Sequence, residues 1–350
     1  MALYAVIMAG GRGERFWPAS TPTIPKPFIP LLPSGKSLIQ ATVDRLEPLI
    51  SPDHIFISIG EAQLPIARNQ LPDLPSDRFI IEPVGRDTSA CLGYCALHLE
   101  RFDSQAVMLA LPADHFIKDK TGFQRTLQKG LENLSGADAV IFGIKPKRPE
   151  TGYGYVQAEK PALSTTAWKV RRFVEKPGVE TAREYLRSGD FFWNSGMFLW
   201  EVPTLLRLFA EHLPATEQGL QRIRPLLGRP DTLLEIGAIF SSLQRISIDF
   251  GILEKITGLR LVPAEFDWDD IGNWAAIERL LEIGSKGNVS IGPQISLDSK
   301  DCIFYSDGGG IAAFGVKDLV IVQAQGKVLV CPKDRAADLK RLVALLGEES

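Results

Sequence analysis

Ala5-Val6-Ile7-Met8-Ala9-Gly10-Gly11-Arg12-Gly13-Glu14-Arg15-Phe16-Trp17-Pro18, with Lys26 shortly after, is the stretch from which the rest of the chain is read. A short apolar run that ends abruptly in glycines reads as a buried strand, because a core helix needs more residues before its breaker. Glycines directly after a strand reach positive φ and let a ligand approach the backbone closely. Successive N–H groups in such a loop form an anion-binding concavity, to which Arg12, Arg15 and Lys26 add charge. The reading is a phosphate cradle at the carboxyl end of the first strand. Two familiar alternatives fail. The dinucleotide fingerprint would need a third glycine where Phe16 stands, and a P-loop ending at Gly35-Lys36-Ser37 would need a glycine in place of Pro30. Ser37 and Gln40 instead fit a capping box that opens the next helix.

The 350 residues suffice for a large core, with one large domain and a smaller partner as the natural division. A net charge of −3 gives no basic footprint for nucleic acid. No apolar run approaches the length of a membrane span, and no basic segment precedes the first apolar run as a signal peptide would require. Cys91, Cys95, Cys302 and Cys331 read as reduced thiols rather than a disulfide framework. A cytoplasmic protein is expected.

Outward from the glycine loop, the periodicity predicts a helix over 38–50 and a strand over 54–59. A helical stretch follows from Glu61, then a short strand at Phe79–Ile81, a helix over 88–101 and a strand over 106–111. Such alternation argues for an α/β fold with a mostly parallel sheet, whose ligands sit beyond the carboxyl ends of its strands. The glycine loop, the Glu82–Thr88 loop and Asp114 all fall at ends of that kind. Strands are expected again at Val140–Ile144, Trp168–Val174 and the aromatic run Phe191–Trp200, helices over 202–243, and a helix from Trp274 to about Ile283. From Gly287 short strands dominate until a closing helix over 334–346. The expected division is a domain over 1–284 and a β-rich extension over 285–350.

The chemistry-bearing set is thus a glycine loop with Arg15 and Lys26, and two separated acidic sites, Asp114 and Asp267–Asp270. One carboxylate from each would suit Mg²⁺, which takes its remaining ligands from water and phosphate. No histidine has the context of a catalytic triad.

These features resemble the sugar-1-phosphate nucleotidylyltransferases, specifically their mannose-1-phosphate guanylyltransferase branch. The matching stretches are Ala9–Pro18, Pro25-Lys26, Glu82–Thr88, Pro112–His115, Glu150–Tyr155, Glu175–Pro177, Trp193–Phe198, Ser247–Asp249 with Glu254-Lys255, and Trp268–Trp274. The resemblance implies a Rossmann-like, glycosyltransferase-A-like nucleotidyltransferase domain, followed by a left-handed β-helix-like extension that supports a homodimer. It implies that Ala9, Gly10, Gly11 and Gly13 hold the nucleotide phosphates, and that Arg15 and Lys26 stabilise charge during transfer. Glu82, Gly85, Arg86, Asp87 and Thr88 would contact the purine. Asp114 and Asp270 would hold Mg²⁺, with Asp114 also beside the nucleotide. Gly154, Glu175, Asn194 and Asp249 would bind hexose hydroxyls, and Lys176 the sugar phosphate.

The activity so implied converts GTP and mannose-1-phosphate into GDP-mannose and diphosphate, with no nucleic-acid or membrane partner. Asp87 and Pro27 depart from the residues that many relatives carry there. Transfer of another nucleotide or to another hexose phosphate, and a non-catalytic nucleotide-sugar sensor, are the competing readings. Trp193 and Phe198 read as core and pocket wall, Tyr153 equally as packing or as part of the pocket, and His115 as structural or a neighbour of the cation.

Overall fold

The computed structural model describes residues 2–11, 13–161, 165–229, 231–281 and 284–348; Arg12, read above as part of the cradle, lies outside the described residues. The apolar run before the glycines forms β1 (Leu3–Met8). The capping box is present at Ser37 and Gln40 and opens α1 (Leu38–Leu46). The chain continues through β2 (Ile55–Gly60), α2 (Leu64–Gln70), β3 (Phe79–Glu82), α3 (Asp87–Phe102), β4 (Val107–Pro112), β5 (Phe116–Ile117) and α4 (Lys120–Glu132). Next come β6 (Ala139–Ile144), β7 (Tyr155–Glu159), β8 (Trp168–Val174), α5 (Val179–Ser188) and β9 (Phe191–Glu201). Then α6 (Val202–His212), α7 (Pro214–Ile223), α8 (Leu233–Ser242), β10 (Leu259–Pro263) and β11 (Trp268–Asp269) complete this part.

The main sheet has the order β3-β2-β1-β4-β9-β6-β10-β8-β7. Its first half is parallel, as the alternation of strands and helices demands. β9 then enters antiparallel to both β4 and β6, and antiparallel pairings dominate the far half, with β6 and β10 parallel within it. The sheet is therefore mixed, and the parallel reading holds for the half that carries the glycine loop. Strands β1, β2 and β4 are buried almost throughout because helices cover both faces. One apolar layer packs α3 and α6–α8 on the sheet, and the opposite layer includes α1 and α4.

Two features position the site. The short pair β5–β11 is antiparallel, with Trp268 opposite Ile117 and Asp269 opposite Phe116, and so carries the Asp269-Asp270 turn to the end of β4. Beyond Asn273, a 3₁₀ run over Trp274–Arg279 replaces the longer helix expected there, whose last residues, 282–283, lie outside the described residues.

The chain ends in β12 (Val289–Ile291), β13 (Gln294–Leu297), β14 (Ile303–Ser306), β15 (Ile311–Phe314), β16 (Leu319–Ala324), β17 (Lys327–Pro332) and α9 (Leu339–Glu348). Strands β12, β14 and β16 stack in parallel as one face and β13 with β15 as another, with β17 added antiparallel: a β-rich C-terminal domain. Its apolar interior is continuous with the underside of the glycine loop. Phe16, Leu31, Trp274, Tyr305, Val322 and Leu339 belong to one buried cluster. The four cysteines are unpaired, and among the described residues no helix is long and apolar enough to cross a membrane.

Candidate active site

The loop after β1 takes its shape from two positive-φ glycines, Gly11 and Gly13. A Cβ on Gly13 would stand 2.8 Å from both the backbone nitrogen and the Cβ of Lys26, so only glycine lets the two segments touch. The Ser20 hydroxyl donates to the Gly13 carbonyl at 2.8 Å, and Phe16 anchors the loop from below with its ring 5.1 Å from that of Trp274. Arg15 is exposed, its guanidinium 4.0 Å from the position a Cβ on Gly272 would take.

Lys26 is only 6 % exposed. Its ammonium donates to Asp114 Oδ2 at 2.7 Å and to the Asp270 carbonyl at 2.5 Å, joining the two acidic sites beneath the loop. Burial is the largest single influence on the Asp114 carboxyl and would raise it, but the charge and hydrogen bond of Lys26, with His115 and a backbone hydrogen bond, together hold the group below the usual carboxylate range. Burial raises Asp270, against its hydrogen bond from the Tyr153 hydroxyl at 2.5 Å. The neighbouring Asp269 has a different role, since Arg279 clamps both its oxygens at 2.5 and 2.8 Å. His115 is pushed down to about 4 by burial, so its imidazole is neutral at pH 7.

Among the described residues no three potential metal ligands converge. Asp114 and Asp270 instead offer two carboxylates, each with one oxygen hydrogen-bonded to a side chain, Asp114 Oδ2 to Lys26 and Asp270 Oδ1 to Tyr153. That hard, oxygen-only and incomplete donor set suits a cation that completes its shell with water and phosphate.

A second polar group lies where β9 begins. A Cβ on Gly154 would fall 2.4 Å from Glu175 Oε2, so the glycine gives this carboxylate its place. Lys176, at positive φ, folds back to pair with Glu175. The Asn194 backbone N–H donates to the Gly154 carbonyl at 2.8 Å, and its side-chain amide donates to Asp249 Oδ1, also at 2.8 Å. Burial, then the nearby Glu175 charge, raises Asp249 to about 6. Two carboxylates, an amide and an ammonium around a glycine suit a polyhydroxylated ligand bearing an anionic group.

The Glu82–Thr88 loop flanks the cradle. The Ser58 carbonyl accepts from the Ala9 N–H at 2.9 Å, while the Ser58 hydroxyl donates to Glu82 at 2.8 Å, so one residue of β2 touches both loops. Gly85 has open space at its Cβ position, and Asp87 takes positive φ while capping the Thr88 N–H at 2.8 Å. Thr88 accepts from the Ile248 N–H at 2.8 Å, which ties this loop to the Asp249 segment. Arg86 is turned away, donating to the Ser241 carbonyl on α8. The expected residues thus fall into two clusters, one of Gly11, Gly13, Lys26, Asp114 and Asp270 around the glycine loop, and one of Gly154, Glu175, Lys176, Asn194 and Asp249 where β9 begins. Trp193 and Phe198 are buried, as expected of core and wall. Tyr153, open in the sequence between packing and pocket, hydrogen-bonds Asp270 through its hydroxyl; its place between Gly152 and Gly154 in a polar loop is the signal for that role.

The nucleotidyl transferase family model matches residues 4–283, and a MannoseP isomerase/GMP-like beta-helix domain model matches 292–346. A mannose-1-phosphate guanylyltransferase of Salmonella montevideo is 35% identical over 99% of this chain and 74% of its own length. The xanthan biosynthesis protein XanB of Xanthomonas campestris is 36% identical over 97% of this chain and 72% of its own. A crystal structure from Thermus thermophilus, described as a mannose-1-phosphate geranyltransferase, superposes with a TM-score of 0.89 at 37% identity, covering 99% of this chain and all of that one. With a family model over most of its length and relatives that match nearly all of this chain at this identity, the chain belongs to the nucleotidyl transferase family.

Proposed function

We propose that this protein is a mannose-1-phosphate guanylyltransferase, making GDP-mannose and diphosphate from GTP and mannose-1-phosphate. The observation that carries the reading is the Lys26 ammonium, which joins Asp114 and the Asp270 turn directly beneath the glycine loop. The N–H groups of Gly10, Gly11 and Gly13 cradle the triphosphate. Mg²⁺, held by Asp114 and Asp270, supplies neutralisation of phosphate charge when bound. Glu175, Asn194 and Asp249 hold the hexose hydroxyls, and Lys176 the sugar phosphate. An oxygen of that phosphate, already anionic, attacks the α-phosphorus in line; the new P–O bond forms as the bond to the diphosphate oxygen breaks and diphosphate departs with the electron pair. No general base is required. Catalysis is then positioning and charge stabilisation by Lys26 and Arg15. Glu82, Gly85, Asp87 and Thr88 form the purine side, with Arg86 acting through its hold on α8.

We also read residues 1–284 as the catalytic domain and 285–350 as a β-helical domain, in a cytoplasmic homodimer. The outward apolar face of Ile295, Leu297 and Phe314 supports the dimer. Diphosphate release by the purified protein with Mg²⁺, across four nucleoside triphosphates and several hexose-1-phosphates, tests the assignment. Release is expected with GTP and mannose-1-phosphate; release with a different pair moves the substrate, and none with any pair refutes transfer.

A further inference from the structure

One aromatic cluster backs both acids, hydrogen-bonding Asp270 directly and reaching Asp114 through a longer contact with His115. The Tyr153 hydroxyl receives a hydrogen bond from Arg148 Nη2 at 3.3 Å, so its own proton is directed to Asp270 Oδ1 at 2.5 Å. The Tyr153 ring stands edge-on to Trp193 and to Trp268, each at 5.2 Å. Trp268 in turn donates its indole N–H to His115 Nδ1 at 3.1 Å. An indole can only donate, so Nδ1 is the acceptor and the imidazole proton sits on Nε2, which faces Asp114 Oδ1 at 4.0 Å. Trp268 itself is fixed by the β5–β11 pairing.

We infer that Tyr153 and Trp268 are positioning residues that orient the two carboxylates for cation binding, Tyr153 acting on Asp270 and Trp268 acting on Asp114 through His115 while bracing the Tyr153 ring. The inference rests on the proposed role of Asp114 and Asp270. With Oδ1 of Asp270 engaged by the phenol, the other oxygen is presented at a fixed angle. Loss of such a partner costs about 10–100-fold in metal affinity.

Tyr153→Phe removes the hydroxyl and keeps the ring, and Trp268→Phe removes the indole donor. Mn²⁺ binding to the full chain is followed by electron paramagnetic resonance of the free ion, without substrate, alongside circular dichroism. Tyr153→Phe is expected to bind Mn²⁺ about 10–100-fold more weakly with an unchanged spectrum, and Trp268→Phe to weaken it as well. Raising Mg²⁺ should then restore diphosphate release in Tyr153→Phe but not in Asp270→Ala. A folded Tyr153→Phe that binds Mn²⁺ like the wild type overturns the inference, and so does unaltered binding in Trp268→Phe. Failure of the functional reading looks different: the wild type binds Mn²⁺ but releases no diphosphate with any substrate pair.

Discussion

Replacing Gly13 with alanine tests the architecture of the cradle at its tightest point. The new methyl group would sit 2.8 Å from the Lys26 backbone nitrogen and 2.8 Å from its Cβ, and neither atom can be moved by rotating a side chain. The backbone at Gly13, with φ +62°, is left-handed, which costs a non-glycine residue roughly 1–2 kcal/mol. Relief of the overlap by a backbone shift adds about 1–3 kcal/mol, as in overpacked cores. The expected loss is therefore about 2–5 kcal/mol, a large part of the ~5–15 kcal/mol that holds a typical protein together. The shift also moves Lys26 relative to Asp114, and misplacement by about 1 Å costs on the order of 100-fold in rate. Urea denaturation reads the first effect and diphosphate release the second. Gly10→Ala is the control, because no described atom lies within 4 Å of its Cβ position and its φ is not positive; its stability should change by less than about 0.5 kcal/mol. A Gly13→Ala protein with wild-type stability and wild-type turnover would refute the reasoning.

Gly154→Ala should raise the KM for the sugar phosphate while changing stability little, since its methyl overlaps only the movable end of Glu175; unchanged KM in steady-state assays would remove Glu175 from the sugar side. Asp249 shifts from an ordinary 3.8 to about 6 on folding. Between those values the folded chain keeps a proton that the unfolded chain releases, so stability falls as pH rises through the window. Asp249→Asn should accordingly gain stability relative to the wild type from about pH 4 to 6 in parallel denaturation series, and a constant difference would contradict the burial of this carboxyl. Trp274→Ala, at a fully buried position shared by the glycine loop and the C-terminal domain, should cost about 3–5 kcal/mol and lower turnover too; a fall in melting temperature of only a degree or two would show that the two parts do not share a core.

The parallel half of the sheet was legible because short apolar runs alternate with helices, and the glycine loop, Asp114 and the Glu82 loop follow from its strand ends. The antiparallel entry of β9 was not. Most of Phe191–Trp200 is buried, and a strand covered on both faces carries no periodic mark of its direction. The 3₁₀ run at Trp274–Arg279 escaped for a related reason. Its apolar residues suit a helix, but Trp274 is drawn down toward Phe16 and Tyr305, its indole donating to the Trp17 carbonyl at 3.1 Å. Tyr153 was legible only as an aromatic beside glycines, because its tie to Asp270 joins segments far apart in sequence.

The same separation has a consequence for biosynthesis. Phe16 rests on Trp274, Trp274 on Tyr305, and α9 packs against the 3₁₀ turn over Glu14–Phe16. A ribosome adding about 5–20 residues per second emits the glycine loop early, then takes roughly 15–60 s to deliver the residues that close the loop from below. Through that interval Phe16 lacks the aromatic partners that cover it in the folded chain. The cradle is thus among the last parts to mature, so a chain arrested before Tyr305 would hold every phosphate-side residue proposed here and still lack the support that sets them in place.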